Sequence, residues 1–157
     1  MVRNRYPEKS VKRKKNSSPL AAALRFLSFR ARSEQEMRLK LAQRYTSVEV
    51  DQTVARLKQL DLINDGDFAR QYIESRSRSR PRSRKLLELE LRRKGVKLDE
   101  EDQTPEINDL ELATTALKKK PHLKSWEQAV RFLTSRGFSW TVIEKVVKNR
   151  YNDTDVS

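Results

Sequence analysis

SEQEMRLKLAQRY (residues 33–45) lines up without a gap on SRKLLELELRRKG (83–95) and SWEQAVRFLTSRG (125–137). In all three, a serine opens the segment: Ser33, Ser83 and Ser125. Apolar residues follow at helical spacing, Met37, Leu87 and Ala129 first, then Leu41, Leu91 and Leu133. Serine before an apolar-periodic run is an N-cap signature, because its hydroxyl serves the free N–H groups of a first helical turn. Tyr45, Gly95 and Gly137 then stand at the helix ends. Caps, inward faces and stops coincide, so this chain carries an internal repeat of helical units.

The flanking sequence completes each unit. Pro19 suits a first helical turn, and Leu20, Leu24, Leu27 and Ala31 recur along one helical face. Ser33 with Glu36, and Thr46 with Glu49, have the spacing of capping boxes. The faces behind them are Met37, Leu41 and Tyr45, then Val50, Val54, Leu57 and Leu60. In the second unit, Asn64 caps a helix facing inward through Phe68, Tyr72 and Ile73, and Pro81 opens another that Gly95 ends. Ile107 or Asn108 begins the next helix, which Pro121 stops. Ser125 with Gln128 gives a third box, and Ser139 caps a last helix facing inward through Val142, Val146 and Val147. Val50 and Val54 match Val142 and Val146, but the middle unit has Glu100 and Thr104 there, so its third helix is shortened, irregular or absent.

The expected fold is therefore all-α, with tandem three-helix repeats stacked into an elongated curved rod. Residues 1–18 form a disordered basic tail, 19–62 the first repeat, 63–106 the second with a degraded third helix, 107–151 the third, and 152–157 a frayed end. The tail holds Arg3, Arg5, Lys9, Lys12, Arg13, Lys14 and Lys15 against Glu8 alone. Two-residue alternation is nearly lacking, which argues against sheet.

Lys and Arg total 35 against 22 Asp and Glu, a formal charge of +13. A field of that sign draws polyanions, nucleic acid first among them. No apolar run approaches the roughly 18 residues of a membrane span, and no Lys/Arg-lined helix carries a continuous Trp, Phe and Leu face. The N-terminus lacks the apolar stretch of a secretory signal, so a cytoplasmic protein is expected.

There is no cysteine and one histidine, His122, so no thiol chemistry, histidine-based zinc site or Ser-His-Asp triad can be built. The single glycines Gly66, Gly95 and Gly137 assemble no phosphate-cradling loop. The acidic run Asp99-Glu-Glu-Asp102 lacks the alternating spacing and glycine of a calcium loop. No enzyme, cofactor or metal is expected.

Binding is where the composition points. Arg76, Arg78, Arg80, Arg82, Arg84 and Lys85 put six cations and no acid into ten residues, between one helix and the next. Guanidinium forks grip phosphate or carboxylate in bidentate fashion, and Pro81 with the serines keeps the join polar and extended. Arg25, Arg30 and Arg32 form a second cluster, with Phe26 and Phe29 between them. Arg92, Arg93, Lys94 and Lys97 form a third, and Lys118, Lys119, Lys120 and Lys124 a fourth. In a linear array these clusters would make a positive track if they share a face.

ALRFLSFRARSEQEMRLKL (23–41) and VARLKQLDLINDGDFARQYIESR (54–76) resemble the RecX family of RecA regulators. The pattern Leu-Ser-x-Arg-x-Arg-Ser-x-x-Glu with a later Leu-Ile-Asn-Asp-x-x-Phe-Ala carries the resemblance, and 84–96 and 131–138 continue it. It spans roughly residues 20–150. The resemblance implies tandem three-helix repeats and a protein that binds the RecA filament on DNA, lying in its groove. It further implies inhibition of filament growth and of RecA's ATP-dependent and coprotease activities, in DNA repair, recombination and the SOS response. Single- or double-stranded DNA and RecA are thus the expected partners, and a monomer suffices. The family supplies no catalytic set. The segment 97–106 departs from its pattern, and the basic tail is additional. The alternative is a plain DNA- or RNA-binding protein, with 33–44 and 46–60 as a helix-turn-helix. Glu49, Asp51 and Gln52 give that second helix an acidic start ill suited to a DNA groove.

Overall fold

Seven of the eight helices among the described residues begin where a small polar side chain meets free backbone N–H groups, and the order of those starts sets the architecture. The computed structural model describes residues 17–98 and 106–152. Ser18 caps α1 (Pro19–Phe29), Ser33 caps α2 (Glu34–Leu41) and Thr46 caps α3 (Ser47–Gln59). Asn64 caps α4 (Asp65–Ser79) and Ser83 caps α5 (Arg84–Arg93). Asn108 and Ser125 cap α6 (Asp109–Lys118) and α7 (Trp126–Ser135), and α8 (Trp140–Asn152) follows a turn. No strand occurs among the described residues. The expected all-α repeat fold is the fold found.

Local details differ from the periodicity. Pro81 does not open α5. It is buried in the loop two residues before the cap, and Ser83 starts the helix. Of the three expected capping boxes, only Thr46 and Glu49 close reciprocally. The Glu36 carboxylate turns away to cations, and the Gln128 side chain accepts from the Lys124 N–H instead. In α1 the inward residues are Ala22 and Ala23, with Leu20, Phe26 and Leu27 packed beside them, while Leu24 is 44% exposed and Ala31 lies beyond the helix. Leu60 is likewise exposed, because α3 ends before it and Thr53 takes the inward place. The basic tail through residue 16, the acidic run at 99–102, the mismatched Glu100 and Thr104, and residues 153–157 lie outside the described residues.

Among the described residues, three apolar clusters replace a single core. Met37, Leu41, Val54 and Leu57 centre the first, within α1–α3. Phe68, Ile73, Leu87, Leu91 and Val96 form the second, within α4, α5 and the turn after them. Ala116, Ala129, Leu133, Ile143 and Val147 form the third, within α6–α8. Leu112 packs against both the second and the third. A three-helix unit of this size buries little apolar surface alone, and docking on a neighbour buries more of it.

The neighbours meet at two joints built alike. At the first, Ser33 Oγ donates to the Lys94 carbonyl at 2.6 Å, and the Glu34 N–H donates to Asp65 at 2.8 Å. At the second, the Ser83 N–H donates to the Arg136 carbonyl at 3.1 Å, and the Arg84 N–H donates to Asp109 at 2.7 Å. Each joint also seats one glycine. Gly95 has φ +78° and lies against Gln35, and Gly137 has φ +82° and lies against Leu86 and Ser83. The left-handed conformation and the close approach both exclude a Cβ. Tyr45, the matching residue of the first unit, donates its hydroxyl to the Ser17 carbonyl.

Candidate functional site

The two joints bring the basic clusters together, and they do so through one recurring pattern. Arg30-Ala-Arg-Ser33 and Arg80-Pro-Arg-Ser83 occupy the same place in successive units, just before the capping serine that docks. Opposite each stands a cation directly before the joint glycine, Lys94 before Gly95 and Arg136 before Gly137. Three cations therefore converge wherever two units meet.

At the first joint two of them, Arg30 and Lys94, close on Glu36. Its carboxylate accepts from Arg30 at 2.9 and 3.2 Å and from Lys94 at 2.8 Å. Burial works to raise the Glu36 carboxyl, but these two cations outweigh it and hold the group at about 2. Arg32 lies over the Phe26 ring, 5.7 Å from its centroid, and donates to the Phe26 carbonyl. Burial and the nearby Arg30 charge both lower the Arg32 guanidinium from its ordinary range. Lys94 extends over Tyr72 and Phe68, at 5.6 and 6.0 Å, and with Arg30 and Arg76 it borders an open groove of about 490 Å³.

From that groove the positive surface continues along the second unit. Arg76 lies 5.1 Å from the Tyr72 ring centroid, donates to its hydroxyl and approaches Glu90 at 3.4 Å. Tyr72 in turn donates to Glu90 at 2.6 Å, and Arg82 closes an ion pair on the other oxygen of that carboxylate. The Tyr72 hydroxyl is shifted upward, by burial first and then by Glu90. Arg82 leads into the second joint, where Arg80 and Arg136 stand. Arg136 covers the Phe132 ring at 5.1 Å. Its guanidinium is lowered by burial and then by the charges of Arg82 and Arg80. Lys119 at the end of α6 donates to the Arg78 carbonyl beside this joint. A ridge of cations thus runs from Arg30 through Lys94, Arg76 and Arg82 to Arg80 and Arg136, crossing all three units.

The sequence-predicted residues divide accordingly. Arg30, Arg32, Arg76, Arg80, Arg82 and Lys94 lie on the ridge. Arg78 and Arg84 pair along their own helices with Glu74 and Glu88. Arg25, Lys85, Arg92 and Arg93 are exposed and make no ion pair among the described residues. The stretch 76–85 is not an extended hinge. Arg76 and Arg78 belong to the last turn of α4, Arg84 begins α5, and the short loop between them is pinned by buried Pro81 and Ser83. Arg136, Tyr72, Glu36 and Glu90 are site residues that periodicity missed. The signal for Arg136 was the repeat register, which equates it with Lys94.

No group of three or more His, Cys, Asp and Glu side chains suited to a metal occurs among the described residues. No helix among them is long and apolar enough to cross a membrane.

Comparison with known proteins bears on what such a ridge serves. Residues 20–57 match the first three-helix domain of RecX, and residues 64–100 match the second. The regulatory protein RecX of Thermus thermophilus is 36% identical over 122 residues, covering 78% of this chain and 84% of its own. That of Prosthecochloris aestuarii is 35% identical over 136 residues, covering 82% and 90%. The crystal structure of RecX from Lactobacillus salivarius superposes with a TM-score of 0.65 at 23% identity, over 83% of this chain and 93% of that one. At that identity the superposition establishes a shared fold.

Proposed function

The chain belongs to the RecX family, and from that premise we propose that it is a non-catalytic cytoplasmic regulator that binds the RecA filament on single-stranded DNA and inhibits RecA. The observation that carries the reading is the cationic ridge crossing all three units, from Arg30 to Arg136. Many moderate contacts along a repeating polyanionic partner add as avidity, and a row of similar units presents them at regular intervals. Ridge cations at the joints reach DNA phosphates or RecA carboxylates, and a monomer spans several RecA protomers without a second copy of itself. Double-stranded DNA offers the same backbone chemistry.

The test is ATP hydrolysis by the cognate RecA on single-stranded DNA, with this protein titrated in at several salt concentrations. The expected result is inhibition at well below one molecule per RecA. Inhibition only at levels that coat bare DNA, with a steep salt dependence, would replace this reading with a plain nucleic-acid binder.

A further inference from the structure

The two joints are built on one plan, yet one is closed by its own carboxylate and the other is not. In the register that equates Ser33 with Ser83 and Ser83 with Ser125, Arg30 corresponds to Arg80, Glu36 to Leu86 and Lys94 to Arg136. At the first joint the Glu36 carboxylate fills the gap between Arg30 and Lys94, with contacts of 2.8 to 3.2 Å. At the second joint Leu86 stands in that place, half-buried against Gly137. Arg80 makes no ion pair among the described residues, and neither does Arg136. Arg82, beside them, is already committed to Glu90. By register, Arg80 and Arg136 therefore correspond to the two cations that a carboxylate bridges at the first joint, and they are near enough for the Arg80 charge to act on the Arg136 guanidinium.

We propose that the second joint is a phosphodiester-binding site, in which a nucleic-acid phosphate bridges Arg80 and Arg136 as the Glu36 carboxylate bridges Arg30 and Lys94. A carboxylate and a phosphate present paired oxygens to a guanidinium in the same way, so the first joint displays the geometry the second offers to a ligand. The pairing at the second joint suits phosphate better, because both cations are arginines and two forks make more directed bonds than a fork and a point charge. Like charges facing one another without a counter-ion also weaken the joint, and a bound anion relieves that repulsion. Leu86 lies against Gly137, next to Arg136 in the chain, and the Phe132 ring lies under the Arg136 guanidinium, and apolar neighbours of that kind reduce water's competition for a bound phosphate. The choice of nucleic acid as the phosphate's source rests on the function proposed above. The existence of an open anion site rests on the joint geometry alone.

The experiment compares Leu86→Glu with Val48→Glu in binding to a fluorescein-labelled dT20 oligonucleotide, by anisotropy at about 0.15 M salt. Leu86→Glu removes no cation and installs at the second joint the carboxylate that closes the first. Val48 is 62% exposed in the first turn of α3, away from both joints, so its variant makes the same charge change elsewhere. We expect roughly ten-fold weaker binding for Leu86→Glu, about two-fold at most for Val48→Glu, and a smaller salt dependence for the former. Arg136→Gln, which leaves Leu86 and the glycine seat in place, is expected to match the loss. Equal affinity of the two glutamate variants, or unchanged affinity of Arg136→Gln, would overturn the site. Normal binding to naked DNA with lost binding to a RecA filament would overturn it too, and would assign the joint to acidic side chains of a protein. RecA inhibition by the parent protein is read separately, so a failed joint and a failed family reading are distinguishable.

Discussion

Gly137→Ala puts the joint design under direct strain. Gly137 adopts φ +82°, and a Cβ there would lie 2.7 Å from Leu86 Cγ, 2.8 Å from Leu86 Cδ1 and 2.8 Å from Ser83 Oγ. Placing alanine in the left-handed region costs about 1 to 2 kcal/mol. The contacts add to this, since Ser83 Oγ is held as the cap of α5 by the Leu86 N–H at 3.3 Å, and Leu86 Cγ is a branch point rather than a flexible end. Overpacking of that kind costs about 1 to 3 kcal/mol. The sum is about 3 kcal/mol, or a fall in Tm on the order of 10 °C for a chain of this length. Thermal and urea unfolding followed by tryptophan fluorescence reads this effect in the third unit, because Trp126 and Trp140 are the two tryptophans of the chain. Gly137→Asn separates the two costs: asparagine tolerates the left-handed conformation better than alanine but carries the same Cβ. Gly66→Ala is the control, for Gly66 lies in the first turn of α4 with Asn64 Oδ1 at 3.2 Å as its nearest neighbour and no left-handed φ, so it should change stability by less than about 1 kcal/mol. Stability of Gly137→Ala within about 0.5 kcal/mol of the parent would refute the argument that the joint excludes a side chain.

Asp65→Ala and Asp109→Ala each remove a charged acceptor from one joint, and each should destabilise by about 1 to 2 kcal/mol in urea unfolding. Because the two carboxylates serve different joints, the double variant should show the sum within about 0.5 kcal/mol, and a larger discrepancy would mean the joints do not act independently. Glu36 gives the pH prediction. Its folded-state carboxyl is depressed from 4.5 to about 2, so its contribution is present above about 4.5 and is lost as pH falls towards 2. The stability gap between the parent and Glu36→Gln should therefore close by on the order of 2 kcal/mol across that window, less than the full shift implies because Arg30 is half exposed. A gap that stays constant from pH 6 to pH 2.5 would contradict the Arg30–Glu36–Lys94 arrangement.

Much of this fold was legible residue by residue because helix starts are local events. Ser33, Thr46, Asn64, Asn108 and Ser125 each cap through a side chain and an N–H two or three residues away, so their spacing in the chain carries the information. The inward faces of α2, α5 and α7 were equally plain, as Met37, Leu41, Leu87, Leu91, Ala129 and Leu133 recur at helical period and all are buried. Pro81 was misread because a proline suits both a first helical turn and the loop before it, although Ser83, two residues on, already carries the capping signal that starts α5. Glu36 was misread as the reciprocal half of a capping box, since its spacing from Ser33 fits one, while its actual partner Lys94 is 58 residues away.

The sequence alone therefore determined an all-α repeat, its basic character and the family resemblance, for these depend on composition and on short-range periodicity. Tertiary structure decided which cations have a carboxylate partner within the fold and which do not. Arg76 and Arg82 share Glu90, and Arg30 and Lys94 share Glu36, whereas Arg80 and Arg136 make no ion pair among the described residues. Charge adds up along a chain without regard to folding, but an ion pair between residues far apart in sequence exists only after the units have stacked, and stacking is what gives one arginine an internal counter-ion and leaves another without.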